Sequence, residues 1–334
     1  MPEPPVPADP RVCVIIAAFN GAATIGRAVV SALDQPETAE VVVVDDASTD
    51  DTAAAARAVD DGSGRLSVVC LAANVGPSAA RNRAIEASRS PFIAILDADD
   101  FFLPGRLAAL FDVPDWDMIA DSIAFVDESR VADIDAAAIA AHPVAARALP
   151  AAAFVRGCLT RRGRYKGELG FLKPLLSRAF LDAHGLRYAR ELRLSEDFDL
   201  YTRALLAGAR FKIAAACRYV AVERRGSLST SHGVAELTAV EGAMLALVAA
   251  APPGSEVRTE LQRLHAQTAR KRRLRAVLAR KRLVGALAAL REEASTPAAL
   301  SGVLIDIARD KLATLHERLL PAPPAPDTTP RFLL

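Results

Sequence analysis

Two acidic clusters stand where apolar runs end, and the spacing of the first suits the binding of a cation. Asp97 and Asp99 follow the run "FIAIL" at 92–96, and alternate residues of an extended chain point to the same side. Two carboxylates that face one point repel each other unless a cation lies beside them, and an all-oxygen ligand set suits Mg²⁺ or Mn²⁺. The alternative is an Asp-rich turn that caps the next helix.

The second cluster follows the run "VVVV" at 41–44. We interpret Asp46 as a ligand that accepts hydrogen bonds from a uracil or a ribose. Ser48 and Asp50 are interpreted as caps of the helix that follows, and the alternative for Asp46 is the same capping role.

The elements that must position these clusters alternate regularly over the first hundred residues. Apolar runs of strand length alternate with segments of helical spacing. The predicted strands are 12–19, 41–44, 65–72 and 92–96, and the predicted helices are 24–35, 48–59 and 77–88. Strands that are apolar throughout are buried on both faces, which indicates a parallel sheet covered by helices. Ligands of such sheets bind at the carboxyl ends of the strands, where both acidic clusters lie.

The pattern loosens beyond Pro114. It predicts strands at 117–126 and 210–216, a helix at 172–185, and a helix at 195–209 with Ser195 as N-cap. From about residue 234 the chain is rich in Ala, Leu and Arg and is predicted to be helical, with a break at "APPG" (251–254). Residues 1–10 and 321–334 are expected to be disordered.

Composition allows one large domain with an appendage. The chain has 334 residues, 51% of them hydrophobic, and a net charge of +1. Residues 1–130 contain 9 Lys/Arg against 21 Asp/Glu, so the remainder contains 32 against 19. An acidic half suits a metal ion, and a basic half suits phosphates or a membrane surface.

Cysteine usage and hydropathy bear on the compartment. Four scattered cysteines without a CxxC pair disfavour a zinc site and a disulfide framework, and they predict a reducing cytoplasm. The proline-rich start lacks the features of a signal peptide, and no apolar window is long enough to span a bilayer. We therefore expect a cytoplasmic protein that can still lie on a membrane.

Five segments in one order resemble a known family. They are VCVIIAAFNGAATIGRAVVSALDQ (12–35), VVVVDDASTDDT (41–52), NVGPSAARNRAIEAS (74–88), FIAILDADD (92–100) and LPGRL (103–107). Together they resemble the nucleotide-sugar-binding half of family 2 glycosyltransferases with the GT-A fold. Residues 172–211 and the segment "RRGSLS" resemble the exopolysaccharide subgroup, the succinoglycan-type glucosyltransferases.

The resemblance covers residues 11–230 and implies an α/β fold, a GT-A Rossmann-like open mixed sheet flanked by helices. It implies a nucleotide-sugar-binding half at 11–112 and an acceptor half at 113–230. Residues 231–320 would form a C-terminal helical extension outside the resemblance.

The resemblance also implies roles for single residues. Those expected to bind the nucleotide sugar are Ala17, Phe19, Asn20, Asp46, Arg81, Asp97, Arg224 and Arg225. Asp99, with Asp97, would bind the Mg²⁺ or Mn²⁺ ion. For Arg81 the alternative is a surface arginine paired with an acid, and for Arg224 and Arg225 it is a solvated strand end.

The pair Glu196–Asp197 is implied to be catalytic. Asp197 would deprotonate the acceptor hydroxyl, and Glu196 would orient the acceptor. A single base opposite the leaving group implies one displacement with inversion. The alternative is an acidic first helical turn that the helix dipole favours. The catalytic role requires Asp197 to lie beside residues 97 and 99, and burial of Asp197 against a lysine would count against it.

The implied reaction is transfer of a hexose, glucose from UDP-glucose, to a polyprenyl-diphosphate-linked saccharide in bacterial exopolysaccharide synthesis. The segment 263–282 has nine Lys/Arg and no acid. It is expected either to place the protein on the cytoplasmic face of the inner membrane or to be only a solvated helix face. Nucleic acid is disfavoured as a partner, because no aromatic residues interleave these charges.

Other functions remain as alternatives. A non-catalytic sugar-nucleotide-binding or scaffold protein would keep the nucleotide half and lose the base. A dinucleotide dehydrogenase is disfavoured because no GxGxxG follows a strand. A haloacid-dehalogenase-like phosphatase is disfavoured because three predicted strands precede Asp97.

Overall fold

The computed structural model describes residues 11–159, 169–224, 233–285 and 330–334, together with a few single residues between 288 and 308. Contacts divide the chain into a sheet unit, residues 1–225 with 330–334, and a helical unit, residues 226–329. The division lies five residues before the expected end of the acceptor half at residue 230.

The sheet unit contains all the strands of the described residues. They are β1 (Val12–Ala18), β2 (Thr38–Asp45), β3 (Leu66–Cys70), β4 (Phe92–Ile95), β5 (Phe101–Phe102), β6 (Met118–Asp127), β7 (Arg147–Ala148), β8 (Leu175–Ser177), β9 (Phe211–Glu223) and β10 (Arg331–Phe332).

Helices connect these strands. In the sheet unit they are α1 (Ile25–Leu33), α2 (Thr52–Ala58), α3 (Pro77–Ala87), α4 (Arg106–Phe111), α5 (Ala136–Ala140), α6 (Ala151–Gly157), α7 (Arg178–Ala183) and α8 (Glu196–Leu206). Two short 3₁₀ segments span Glu128–Asp133 and Leu169–Phe171.

The sheet is mixed rather than parallel throughout. Its order is β3-β2-β1-β4-β8-β6-β9-β5, with β10 paired to β6 and β7 to β9. The first four strands of this order are parallel, as the apolar runs predict. Strand β8 is antiparallel to both β4 and β6, while β9 is parallel to β6. The acidic clusters that follow β2 and β4 therefore lie at one edge of the sheet.

The core explains why the first strands are apolar throughout. In β1, Val14 and Ile16 face one side and Cys13 and Ile15 the other, and all four are buried. Helices cover both faces of the sheet here, so every residue of β1 except the partly exposed Ala17 is buried.

The predicted helix over 172–185 is wrong. Leu175–Ser177 is a strand, and only Arg178–Ala183 is helical, with the Ser177 hydroxyl accepting the backbone N–H of Phe180. Pro174 lies inside the predicted helix, where proline removes a hydrogen bond and clashes with the preceding turn.

Two predicted N-caps are also wrong. Ser195 has a left-handed backbone conformation and makes no side-chain cap, and α8 begins at Glu196. Helix α2 begins at Thr52 rather than near Ser48. The Ser48 hydroxyl accepts the backbone N–H of Asn20 instead, so the residue belongs to a loop.

The expectation of a disordered tail is wrong for residues 330–334. Arg331 and Phe332 pair antiparallel with β6, and the Arg331 guanidinium lies 2.6 Å from the Glu223 carboxylate. Phe332 and Leu333 pack on hydrophobic clusters of the sheet unit, and this burial of apolar surface stabilises the ordered conformation of residues 330–334. Residues 1–10 and 321–329 lie outside the described residues.

The helical unit contains α9 (Val234–Ala250) and α10 (Glu256–Val284), which pack on each other. The predicted break lies between them, at residues 251–255. The Glu241 carboxylate of α9 pairs with the Arg272 guanidinium of α10. No helix in the described part of the chain has the length and apolar character needed to cross a bilayer.

Candidate active site

The loops that follow β1 and β2 are tied to each other. Asn20 has a left-handed backbone (φ 53°), and its side-chain Oδ1 accepts the backbone N–H of Thr49 at 2.8 Å. The Ser48 hydroxyl accepts the Asn20 N–H at 2.9 Å. The neighbouring ring of Phe19 is left 47% exposed at the end of β1, close to Ala17. This edge presents a flat apolar surface beside polar backbone.

Asp46 holds the loop that leads into α3. Its two carboxylate oxygens accept the backbone N–H groups of Val75 (2.7 Å) and Gly76 (2.8 Å), and the residue is buried. The Asp46 side chain, which we expected to bind a uracil or a ribose, thus fixes the conformation of this loop. Gly76 has φ +90°, a conformation that favours glycine.

Arg81 joins the segment after β4 to the start of α8. Its guanidinium lies 2.8 Å from Asp97 Oδ1 and 2.6 Å from Glu196 Oε1, and 3.8 Å from Asp197 Oδ1. Burial alone would lower the pKa of Arg81, but the carboxylates of Asp197, Glu196 and Asp97 raise that pKa well above its ordinary value. The expected nucleotide-side arginine is therefore a permanently charged partner of three carboxylates.

Lys173 makes a second bridge between the same two segments. Its Nζ lies 2.8 Å from Asp97 Oδ2 and 2.7 Å from Asp197 Oδ2. Its backbone carbonyl accepts Arg106 Nη2 at 2.6 Å, and Arg106 is itself buried and paired with Asp121. Burial would lower the pKa of Lys173, but Asp197 and Asp97 outweigh it and raise this pKa.

The acidic motifs therefore converge, as the catalytic role requires. Two buried cations, Arg81 and Lys173, face the three carboxylates of Asp97, Glu196 and Asp197. Burial would raise the pKa of Asp97, but Lys173 and Arg81 outweigh it and hold that pKa well below its usual range. Residues a hundred positions apart in sequence thus form one charged cluster.

Asp197 is not the accessible base that we expected. The residue is only 7% exposed; its Oδ2 contacts Lys173, and its Oδ1 accepts the Tyr188 hydroxyl at 3.0 Å. The condition that counts against its role, burial against a lysine, is therefore met. Glu196 is less constrained. Among the described residues only its Oε1 is engaged, by Arg81. Its Oε2 does not belong to the buried side-chain oxygens that lack a hydrogen-bond partner.

Asp99 lies at the open side of the cluster. Its Oδ2 is 2.7 Å from Arg224 Nη2, at the end of β9, and its backbone carbonyl accepts Arg27 Nη2 at 2.8 Å. The expected nucleotide contact Arg224 is thus brought to the acidic motif, while Arg225 lies outside the described residues.

Asp100 stabilises the acidic motif through hydrogen bonds to β9. Its carboxylate accepts the Tyr219 hydroxyl at 2.8 Å and the Val222 N–H at 2.9 Å, and the same hydroxyl accepts the Asp97 N–H at 3.2 Å. Burial, with Asp99 and Asp97 nearby, raises the pKa of Asp100 well above its usual range. This acid therefore links β9 to the backbone of the motif.

The donor set fits a divalent cation held by one protein carboxylate. Both Asp97 oxygens already contact protein cations, so the expectation that Asp97 is a metal ligand is not supported by this arrangement. Asp99 retains one unengaged oxygen, and no group of three or more His, Cys, Asp or Glu among the described residues could hold an ion. Mg²⁺ commonly binds through one or two carboxylates together with substrate phosphates.

The sequence pattern did not predict that Lys173, Tyr188 and Asp100 take part in the cluster. Lys173 had a detectable signal, because it is the single charge within the apolar stretch "GFLKPLL" and a buried charge needs a partner. Tyr188 lies in the Arg-rich segment "LRYARELR", where nothing in the pattern distinguishes it.

The sequence of the chain is similar to those of known glycosyltransferases. The profile of glycosyl transferase family 2 matches residues 13–133. The chain is 48% identical to the succinoglycan biosynthesis protein ExoU of Rhizobium meliloti (strain 1021) over 94% of its own length and 92% of that protein. It is 35% identical to the Escherichia coli UDP-Glc:alpha-D-GlcNAc-diphosphoundecaprenol beta-1,3-glucosyltransferase WfaP, over 29% of this chain and 38% of that one.

Solved structures share the fold. The S. aureus protein TarS in complex with UDP-GlcNAc aligns with a TM-score of 0.59 at 19% identity, over 88% of this chain and 83% of that chain. A mannosyltransferase of Pyrobaculum calidifontis in complex with GDP-Man and Mn²⁺ aligns with a TM-score of 0.54 at 21% identity, over 94% and 84%. The expected GT-A type of open mixed sheet is thereby confirmed.

Proposed function

This chain belongs to glycosyltransferase family 2, and we propose that it transfers a hexose from a nucleotide sugar to a saccharide with inversion at C1. One observation supports this most strongly. Arg81 and Lys173 bring Asp97, at the carboxyl end of a parallel strand, into one cluster with Glu196 and Asp197. A donor site and a source of base are then adjacent.

The donor in this proposal is a UDP-sugar, with glucose as the hexose. Support comes from a relative whose name specifies UDP-Glc and from a fold neighbour solved with UDP-GlcNAc. The exposed ring of Phe19 offers a stacking surface for a base beside Ala17, Asn20 and Asp46. Asp99 would hold Mg²⁺ or Mn²⁺, which when bound stabilises the negative charge on the leaving diphosphate.

The Glu196–Asp197 pair supplies the base in this proposal. The bond between C1 and the diphosphate oxygen breaks with its electron pair going to the diphosphate, and the acceptor oxygen bonds to C1. The acceptor proton passes to a carboxylate of the pair. As the side chains stand, Glu196 has the open oxygen, and Asp197 can take a proton only after Lys173 or Tyr188 releases one of its oxygens.

The acceptor in this proposal is a polyprenyl-diphosphate-linked saccharide, which places the enzyme at the cytoplasmic face of a membrane. The E. coli relative is named for such a lipid-linked acceptor, and the ExoU relative for exopolysaccharide synthesis. Within α10, Lys271, Arg275 and Lys281 are exposed, which suits an anionic lipid surface.

A donor screen tests the proposal. The full chain is incubated with Mn²⁺, membrane extract and radiolabelled UDP- or GDP-sugars, and the anomeric configuration of the product is determined. Transfer of one UDP-hexose to lipid-extractable material, with a β-linkage formed from an α-linked donor, is expected. Retention of the anomeric configuration, or turnover of GDP-sugars alone, would contradict the proposal. In Asp99→Asn, the stimulation of sugar transfer by Mn²⁺ is expected to be lost.

A further inference from the structure

The ion pair between Arg224 and Asp99 lies where a cation would bind. Arg224 Nη2 is 2.7 Å from Asp99 Oδ2, and the side chains are 31% and 34% exposed. Both partners are attached to well-anchored backbone. Arg224 directly follows β9, whose last residue pairs in register with Asp127 of β6, and the Asp99 carbonyl accepts Arg27.

Asp99 is the acid of this motif that a metal ion can reach. Asp97 has both oxygens on Arg81 and Lys173, and Asp100 is buried with both oxygens accepting protein hydrogen bonds. An ion that approaches Asp99 in this arrangement meets the positive charge of Arg224 on the same carboxylate. Repulsion at a few ångströms in a half-exposed site weakens the binding of a free divalent cation.

We propose that Arg224 occupies the cation position of the acidic motif until a nucleoside diphosphate arrives, so that metal ion and nucleotide bind together. This inference rests on the proposed function, which supplies the nucleotide. A guanidinium binds phosphate oxygens in a bidentate manner, so the diphosphate offers Arg224 a partner in place of Asp99. The carboxylate that Arg224 leaves is then available to the metal ion that accompanies the phosphates.

The pairing predicts two effects of opposite sign in Arg224→Gln. Without the guanidinium, Asp99 is open, and the affinity for Mn²⁺ alone rises about three- to tenfold. Affinity for UDP measured with Mn²⁺ falls about tenfold or more, because a charged contact to phosphate is lost. A variant that merely disturbs folding would weaken both.

Isothermal titration of the full chain tests the inference with Mn²⁺ alone and with UDP in the presence of Mn²⁺. Arg218→Gln is the matched control, since Arg218 lies on β9, which Arg224 directly follows, and its guanidinium donates to the Pro104 carbonyl rather than to a carboxylate. It should leave both affinities unchanged. Asp99→Asn should remove the difference between wild type and Arg224→Gln in the titration with Mn²⁺ alone.

The titration with Mn²⁺ alone and the titration with UDP distinguish a failure of the inference about Arg224 from a failure of the proposed function. If wild type binds no UDP under any metal condition, the proposed function is wrong, while the titration with Mn²⁺ alone still decides the role of Arg224. If wild type binds UDP with Mn²⁺, but Arg224→Gln leaves the Mn²⁺ affinity unchanged or lowers it, the inference about Arg224 is wrong and the proposed function stands.

Discussion

Lys173 shows how one buried charge fixes the geometry of this site. Its ammonium serves Asp97 and Asp197 together, so Lys173→Met leaves Arg81 alone against three carboxylates. We expect the free energy of unfolding to fall by about 3 kcal/mol. Lys212→Met is the control, because among the described residues its ammonium donates to the Pro114 carbonyl and not to a carboxylate, and it should stay within about 0.5 kcal/mol of wild type. Equal urea unfolding curves for the two variants would refute the bridging role.

Two buried tyrosines offer a matched test of the hydrogen bond to Asp197. The Tyr188 hydroxyl donates to Asp197 at 3.0 Å, whereas the Tyr201 hydroxyl is buried without a partner among the residues that the structure describes. Tyr188→Phe should therefore cost about 2 kcal/mol, and Tyr201→Phe should be neutral or stabilising. Thermal unfolding of both variants measures the difference. A larger loss in Tyr201→Phe would mean that the assigned hydrogen bonds are wrong.

Among single residues, the sequence predicted the acids better than their partners. Asp97, Asp99, Glu196 and Asp197 stand out as clusters at element ends, and the structure brings Asp97, Glu196 and Asp197 together while Asp99 pairs with Arg224. Their counter-ions could not be assigned, because an ion pair between Lys173 and Asp197 depends on strand order and not on local spacing. For the same reason the burial of Asp197 was not foreseen.

At the scale of elements, the entry to α3 depends on one glycine. Gly76 has φ +90°, its N–H bonds Asp46, and an added Cβ would lie 3.2 Å from Arg193 Cγ. Gly76→Ala should cost about 1–2 kcal/mol of stability and weaken UDP binding through Asp46.

Gly242 provides the contrast for Gly76. It lies within α9 with no atom within 4 Å of an added Cβ, so Gly242→Ala should stabilise by about 0.5–1 kcal/mol and leave UDP affinity unchanged. Chemical denaturation and UDP titration of both variants make the comparison. Unaltered UDP affinity in Gly76→Ala would show that the loop does not serve the nucleotide.

Strands β1, β2 and β4 were predictable because burial on both faces leaves a continuous apolar run, whereas the edge strand β3 has an apolar run although its residues are only partly buried or exposed. Strand β8 was not, since its three residues, Leu175–Ser177, follow a proline and precede a short helix, and the combined segment has helical spacing. Its identity as a strand depends on pairing with β4 and β6, which only the tertiary fold supplies.

At the scale of the whole molecule, the end of the chain returns to the sheet unit. Leu333 and Phe332 pack on its clusters, and the Phe332 ring stacks on His142. A three-residue apolar stretch, 332–334, after a Pro-rich segment gave too short a pattern to predict a strand. Contacts divide the chain after residue 225, and the composition becomes rich in Ala, Leu and Arg from about residue 234.

The basic face of α10 gives a prediction about the whole molecule at a membrane. Lys271, Arg275 and Lys281 are exposed. Replacing all three by Ala should weaken binding to vesicles with anionic lipid about tenfold or more, since each such charge contributes about 1 kcal/mol near the surface. Flotation at low and high salt measures this. The control replaces three exposed basic residues of the sheet unit, Arg83, Arg89 and Arg190, and equal loss there would refute a specific role for α10.

The most direct test of the account is the turnover of UDP-glucose by Glu196→Gln, measured together with its affinity for UDP, because Glu196 has the open oxygen while both Asp197 oxygens are engaged. If the Glu196–Asp197 pair supplies the base beside the donor site, turnover at saturating donor falls by about a hundredfold or more while UDP affinity stays close to that of wild type. Asp197→Asn in the same assay identifies which carboxylate receives the proton. Wild-type turnover in both variants, or parallel loss of turnover and UDP binding, would contradict the claim that these carboxylates form the active site.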